Sequence, residues 1–194
     1  MVWRPGPRTD LLNVPNTITL LRLFAVPVFL SLLAEGDYRL ALLVFVAAGL
    51  TDAVDGAVAR LTDSRTELGA HLDPLADKLL LVSAFITLGV LGAVPVQLMI
   101  IVLVRDAVIL GGFILSAIVF GKPVRVAPSV WGKATTFFQI VSVSLVLVIR
   151  TGWYEVSEPL LSAVFLITGL LTFLSGAHYV IYGVRWYQSS EAGT

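Results

Sequence analysis

Long apolar runs fill most of the chain and are broken at short polar intervals. Six of them have helical length, from about Pro15 to Ala34, Arg39 to Leu61, Asp73 to Gly92, Pro95 to Phe120, Val130 to Ile149 and Leu160 to Val184. Each is close to the roughly 20 residues an α-helix needs to cross a bilayer. The breaks include Glu35-Gly36-Asp37-Tyr38-Arg39 and Gly92-Ala93-Val94-Pro95, which are short enough to make consecutive helices antiparallel neighbours. The pattern predicts an all-α integral membrane protein built as a bundle of six transmembrane helices. No internal repeat or low-complexity segment divides the chain. Residues 1–194 are therefore expected to form a single membrane domain, with an N-terminal segment over 1–14 and a tail over 187–194.

Composition agrees with the pattern. Of 194 residues, 57% are hydrophobic and 13% charged, with a mean hydropathy of +0.92. Soluble domains carry roughly 25% charged residues. The formal net charge is zero, so overall charge identifies no anionic partner, and no nucleic-acid partner is expected. There are no cysteines, which excludes disulfides and thiol chemistry. The N-terminal segment, with Pro5, Pro7 and Asp10 ahead of any apolar run, is unlike a cleavable signal peptide; insertion through the first span is expected, without processing.

Orientation follows from the basic residues near the span ends. An even number of spans puts both termini on one side, with Arg4, Arg8, Arg60, Arg65, Lys122, Arg125, Lys133 and Arg185. The other side keeps Arg39 and Arg150. The asymmetry predicts cytoplasmic termini in the cell membrane, and a cytoplasmic connection over 61–72. Tyr38, Trp153 and Tyr154 on the far side, and Trp186 and Tyr187 on the near side, suit interfacial aromatic belts.

The chemistry is concentrated in residues 49–81, where Asp52, Asp55, Asp73 and Asp77 stand at the edges of apolar runs. Asp52 and Asp55 are three residues apart, and Asp73 and Asp77 four, so each pair shares a helix face. The joining segment lets both pairs reach one membrane depth. Four anions there repel one another and lose hydration, so positive charge must sit among them. Arg60, Arg65 and Lys78 are near in sequence. Hard divalent cations match an all-carboxylate cluster better, and Mg²⁺ commonly joins carboxylates to substrate phosphates. Two such ions about 4 Å apart form the arrangement used for displacement at phosphorus. Asp73 also precedes Pro74, a pairing that reads as a helix N-cap with proline at the first helical position. Asp63, Glu67 and His71 fit solvated loop positions.

The spacing is more specific than the charge. From Asp52 the order is two residues, Asp55, Gly56, two residues, Ala59, Arg60, eight residues, Gly69, three residues, Asp73, three residues, Asp77. This order resembles, position for position, the signature of the CDP-alcohol phosphatidyltransferases. The segment Asn13-Val14-Pro15-Asn16-Thr17-Ile18-Thr19-Leu20-Leu21-Arg22 is similar to that family's N-terminal segment, and six spans agree with its fold. The resemblance implies transfer of a phosphatidyl group from CDP-diacylglycerol to an alcohol, with release of CMP and with Mg²⁺ or Mn²⁺ as cofactor. It implies that Asp52, Asp55, Asp73 and Asp77 bind two metals, with Asp77 also the general base. Gly56 and Gly69 are implied to let the cytidine nucleotide approach the backbone, Ala59 to keep that face small, and Arg60 to pair with a phosphate oxygen. Asn16, Thr19 and Arg22 are placed toward the same nucleotide. A homodimer is also implied.

For the acceptor, the candidates are Arg105, Lys133, Arg125 and Lys122. Arg105 beside Asp106 reads either as an internal ion pair or as a phosphate fork. The segments around Val104-Arg105-Asp106 and Gly132-Lys133-Ala134-Thr135 resemble CMP-forming cardiolipin synthases, whose acceptor is phosphatidylglycerol. Phosphatidylglycerophosphate synthases, which use glycerol 3-phosphate, show glutamate after the arginine and a further lysine after the Gly-Lys pair. Phosphatidylglycerol is the expected acceptor, with glycerol 3-phosphate or an inositol phosphate as alternatives. Intramembrane aspartates also mark ion-coupled transporters. Clustering at one membrane edge, without an inverted repeat or mid-helix break, speaks against that class.

Overall fold

A computed structural model of the chain describes the backbone of residues 14–62, 67–120 and 130–191, and the side chains of 21–51, 78–116, 118, 130–185 and 187–188. The described chain is all-helical. Its elements are α1 (Val14–Glu35), α2 (Tyr38–Thr62), α3 (Glu67–Val90), α4 (Val96–Phe120), α5 (Val130–Thr151) and α6 (Glu158–Glu191).

Helices α1, α2, α4 and α5 fall within two residues of the boundaries that hydrophobic patterning predicts. Two elements differ. Helix α3 begins at Glu67, six residues before the expected start at Asp73, so the helix is under way when the chain reaches Pro74. Glu67, Leu68, Ala70 and Leu72 are good helix formers and nucleate it earlier. A proline inside an apolar helix is tolerated when neighbouring groups satisfy the released carbonyl, and α1 likewise contains Pro27. Helix α6 continues seven residues beyond Val184, because nothing between Arg185 and Glu191 is a glycine or proline that would stop it.

Tight glycine reversals set the helix ends. Gly36 has φ of 78°, a left-handed conformation that glycine adopts without a Cβ clash. Its N–H bonds Leu33 O at 3.2 Å, and Asp37 N–H reaches Leu32 O at 2.9 Å. These two bonds close α1 as a Schellman motif. Asp37 then caps α2, its Oδ1 accepting from Leu40 N–H at 3.1 Å. The chain thus turns back within two residues. Gly92, with φ of 66°, ends α3 in the same way, through Gly92 N–H to Gly89 O and Ala93 N–H to Leu88 O.

The chain divides into two compact units, one of Met1–Ala84 with Arg150–Gly152 and the other of Phe85–Ile149 with Trp153–Thr194. In the first, α1 packs on α2. Phe29, Leu33, Ala41, Leu42, Phe45 and Ala48 are buried there, and the Phe29 and Phe45 rings lie 5.7 Å apart. In the second, α4 packs on α6 over Leu98, Val102 and Val164. Helices α5 and α6 are joined by buried hydroxyls. Ser142 Oγ and Thr168 Oγ1 share a hydrogen bond of 2.8 Å. Thr135 Oγ1 approaches Leu171 O at 3.0 Å, and Thr168 Oγ1 lies 3.2 Å from Phe138 O. Where both partners face hydrocarbon, such bonds and close packing replace the hydrophobic effect as the glue between helices.

Outward faces are apolar. Phe24, Leu43, Val90, Leu115, Ile118, Leu166 and Phe173 are all exposed, as suits side chains that face lipid. Among the described residues, three helical segments are long and apolar enough to cross a membrane: Val96–Ser116, Val130–Thr151 and Glu158–Arg185. The described parts of α2 and α3 add the apolar stretches Tyr38–Thr51 and Lys78–Val90.

Thr168→Val keeps the shape but removes the hydroxyl shared with Ser142. In detergent micelles this variant is expected to lose about 1 kcal/mol of stability, read as an earlier thermal unfolding midpoint. An unchanged midpoint would mean that the hydroxyl seam does not hold α5 to α6.

Candidate active site

The signature residues fall on two successive helices. Asp52, Asp55, Gly56, Ala59 and Arg60 are helical residues of α2, and Gly69, His71, Asp73 and Asp77 are helical residues of α3. Between the two helices only positions 63–66 remain, so the expected connection over 61–72 is mostly helix. Asp73 is therefore an interior residue of α3, and the N-cap reading drawn from Pro74 is replaced. The side chains of 52–77 lie outside the described residues, as do those of Asn16 and Thr19 on α1. So do Lys122 and Arg125.

Two carboxylates on each of two consecutive helices make an oxygen-only donor set, the type that Mg²⁺ and Mn²⁺ prefer. Among the described residues no group of three or more His, Asp or Glu side chains forms an alternative metal site.

The described cationic candidates differ sharply in environment. Arg22 is buried on α1, at 3% exposure. A buried guanidinium requires charged or strongly polar surroundings. Lys133 is exposed in the first turn of α5. Two residues on, Thr135 is fully buried and bonds the carbonyls of Trp131 and Leu171.

Arg105 is the most elaborately held. It lies on α4 with 8% of its side chain exposed, and Nη1 donates to Asp106 Oδ1 at 2.6 Å. Nη2 donates to Ser175 Oγ on α6 at 3.1 Å. The guanidinium carbon stands 5.6 Å from the centre of the Tyr179 ring, within range for a cation–π contact. The ion-pair reading of Arg105 is thus observed, and it leaves room for the second reading. Nε is buried with no hydrogen-bond partner among the described residues.

Ser175, Gly176 and Tyr179 were absent from the sequence-derived candidates. A signal existed: Thr168, Thr172, Ser175 and Tyr179 recur every three or four residues along an otherwise apolar helix. Polar groups at that period in a membrane segment face a partner helix or a site.

Comparison with known proteins agrees with the signature. The family model described as CDP-alcohol phosphatidyltransferase matches residues 12–175. A protein of Mycobacterium tuberculosis named probable phosphatidylglycerophosphate synthase is 36% identical over 185 residues, covering 92% of this chain and 85% of its own. The CDP-diacylglycerol–glycerol-3-phosphate 3-phosphatidyltransferase of Bacillus subtilis is 32% identical over 182 residues, covering 86% of this chain and 93% of its own. A probable CMP-forming cardiolipin synthase of Drosophila melanogaster is 31% identical over 189 residues, covering 90% of this chain and 58% of its own.

The Arg105 geometry generates a stability test. Asp106→Leu leaves the guanidinium buried without its carboxylate, at an expected cost of about 3 kcal/mol, measured by thermal unfolding in detergent. Asp106→Glu is expected to recover part of that loss. A neutral effect of the leucine would show that the pair does not compensate Arg105.

Proposed function

Because the chain belongs to the CDP-alcohol phosphatidyltransferase family, an enzyme family of phospholipid synthesis, we propose that it transfers the phosphatidyl group of CDP-diacylglycerol to phosphatidylglycerol. The products are cardiolipin and CMP. The observation that carries this reading is the eight-position signature, which lies on the two consecutive helices α2 and α3.

The acceptor hydroxyl oxygen bonds to the phosphorus that bears diacylglycerol, and the bond from that phosphorus to the CMP oxygen breaks. Asp77 takes the hydroxyl proton as the new bond forms, so the nucleophile never has to exist as a free alkoxide. Asp52, Asp55, Asp73 and Asp77 hold two divalent cations. Bound Mg²⁺ or Mn²⁺ neutralises diphosphate charge and makes CMP a better leaving group. Gly56 and Gly69 leave space for the nucleotide against the backbone, Ala59 keeps that surface shallow, and Arg60 pairs with a phosphate oxygen. Arg22, with Asn16 and Thr19, completes the nucleotide contacts. Arg105 and Lys133, with Lys122 and Arg125, receive the acceptor's phosphate.

Two features support phosphatidylglycerol. The charge of Arg105 is balanced by Asp106, leaving Lys133 as the net cation among the described acceptor candidates, and Thr135 is committed to packing rather than offering a further cation. This modest positive charge suits a phosphodiester monoanion better than a phosphomonoester dianion. Glycerol 3-phosphate is the second reading, favoured by the names of the Mycobacterium tuberculosis and Bacillus subtilis relatives. The same proposal includes one membrane domain of six spans in the cell membrane, with both termini and the aspartates cytoplasmic, and a homodimer. Helices α2 (Tyr38–Thr62) and α3 (Glu67–Val90) are each long enough to span a bilayer.

The direct test supplies purified protein with CDP-diacylglycerol, Mg²⁺ and each acceptor in turn. CMP is expected with phosphatidylglycerol at the highest kcat/KM. Higher efficiency with glycerol 3-phosphate would transfer the assignment to the second reading, and no CMP with any alcohol would end both. Asp77→Asn is expected to fold and bind CDP-diacylglycerol while turnover falls by at least about 100-fold. Arg105→Ala is expected to raise KM for the acceptor more than for CDP-diacylglycerol; the reverse would place it in the nucleotide pocket.

A further inference from the structure

Two buried donors at the α4–α6 contact meet no acceptor among the described residues. One is Arg105 Nε. The other is the hydroxyl proton of Ser175, a fully buried residue whose oxygen accepts from Arg105 Nη2. A helical serine ordinarily donates to a carbonyl one turn back. Here that carbonyl, Leu171 O, accepts its helical N–H and shares the Thr135 hydroxyl, 3.0 Å away, with Trp131 O at 2.8 Å. Ser175 bonds Arg105 Nη2 instead of that carbonyl.

The surroundings hold the guanidinium in one pose. Asp106 fixes Nη1, Ser175 fixes Nη2, and the Tyr179 ring stands over Cζ. The Arg105 stem packs against Gly176 of α6, where an added Cβ would lie 3.5 Å from Arg105 Cγ. Nε and Nη2 share one edge of the guanidinium plane, the edge that binds an anion side-on. Ser175 sits on that edge. Buried donors left unpaired are costly and therefore rare outside sites where a ligand completes them.

We propose that Ser175 is a specificity-determining residue for the acceptor, its hydroxyl and Arg105 Nε forming a paired donor set for the acceptor's phosphate. The inference rests on the phosphatidyl-transfer reading above. The hydroxyl adds a hydrogen bond without adding charge, so the pair Arg105–Asp106 keeps its near-neutral balance. A phosphodiester, with one negative charge and two unesterified oxygens, matches one guanidinium edge plus one neutral donor. An ordered water satisfying the same two donors is the alternative that the experiment must separate.

The test uses the full chain in detergent–lipid micelles, with CMP release followed while phosphatidylglycerol and CDP-diacylglycerol are varied in turn. Ser175→Ala is expected to raise KM for phosphatidylglycerol about tenfold, the effect of one lost hydrogen bond to a charged group. Its kcat and its KM for CDP-diacylglycerol are expected to stay within about twofold of wild type. Ser175→Thr, which keeps the hydroxyl, is expected to restore most of the acceptor affinity. If the alanine variant does not fold, Ser175→Cys, similar in size with a weak donor, carries the same comparison. An unchanged acceptor KM in a variant that turns over normally overturns the inference alone and leaves the water. Equal changes in kcat and both KM values also overturn it, since they mark a structural role. No CMP from the wild-type chain with any acceptor overturns the inference together with the function on which it rests.

Discussion

A carboxylate or guanidinium inside an apolar helix persists only where opposite charge or dense hydrogen bonding meets it. The chain carries 13 acidic and 13 basic residues among 194, and their placement organises everything else. At Arg105 the compensation is internal, supplied by Asp106 at 2.6 Å and by Ser175. At the four aspartates of α2 and α3 we assign it to divalent cations and, through them, to a substrate diphosphate. The proposed chemistry is the same physical requirement in use. A cluster that is unfavourable alone becomes favourable with its ligand, and that difference drives binding.

The scaffold holds these groups by means that do not depend on burial from water. Schellman turns at Gly36 and Gly92 reverse the chain within a few residues. Hydroxyls of Thr135, Ser142 and Thr168 tie α5 and α6 together where lipid supplies no hydrophobic drive. The same α6 surface continues to Ser175, so one stripe of small polar residues serves both helix packing and the setting of Arg105.

Much of this was legible in the residues. Apolar run length placed α1, α2, α4 and α5 closely, because a membrane span must be both long and continuous. The start of α3 was misplaced because Asp73-Pro74 satisfies the local rules for a helix beginning, while the helix formers from Glu67 onward had already begun it. Local propensity cannot report which of two permitted starts is used. The aspartate signature was readable because its order is fixed within one stretch of sequence. Ser175 was not, since its meaning depends on Arg105, 70 residues away. A lone serine in an apolar helix is ordinary until that partner is known. Arg105 beside Asp106 was open to two readings, and the ion pair is the one observed, at 2.6 Å.

The central claim is that the four aspartates hold divalent cations for a nucleotide diphosphate. Titration of Mn²⁺ into the purified chain with bound CDP-diacylglycerol, followed by paramagnetic resonance of free Mn²⁺, measures it without any turnover. The account predicts two Mn²⁺ bound per chain, with binding lost or much weakened in Asp52→Asn and in Asp73→Asn, each still folded. Full Mn²⁺ binding by both variants, or none by the wild-type chain, would contradict it.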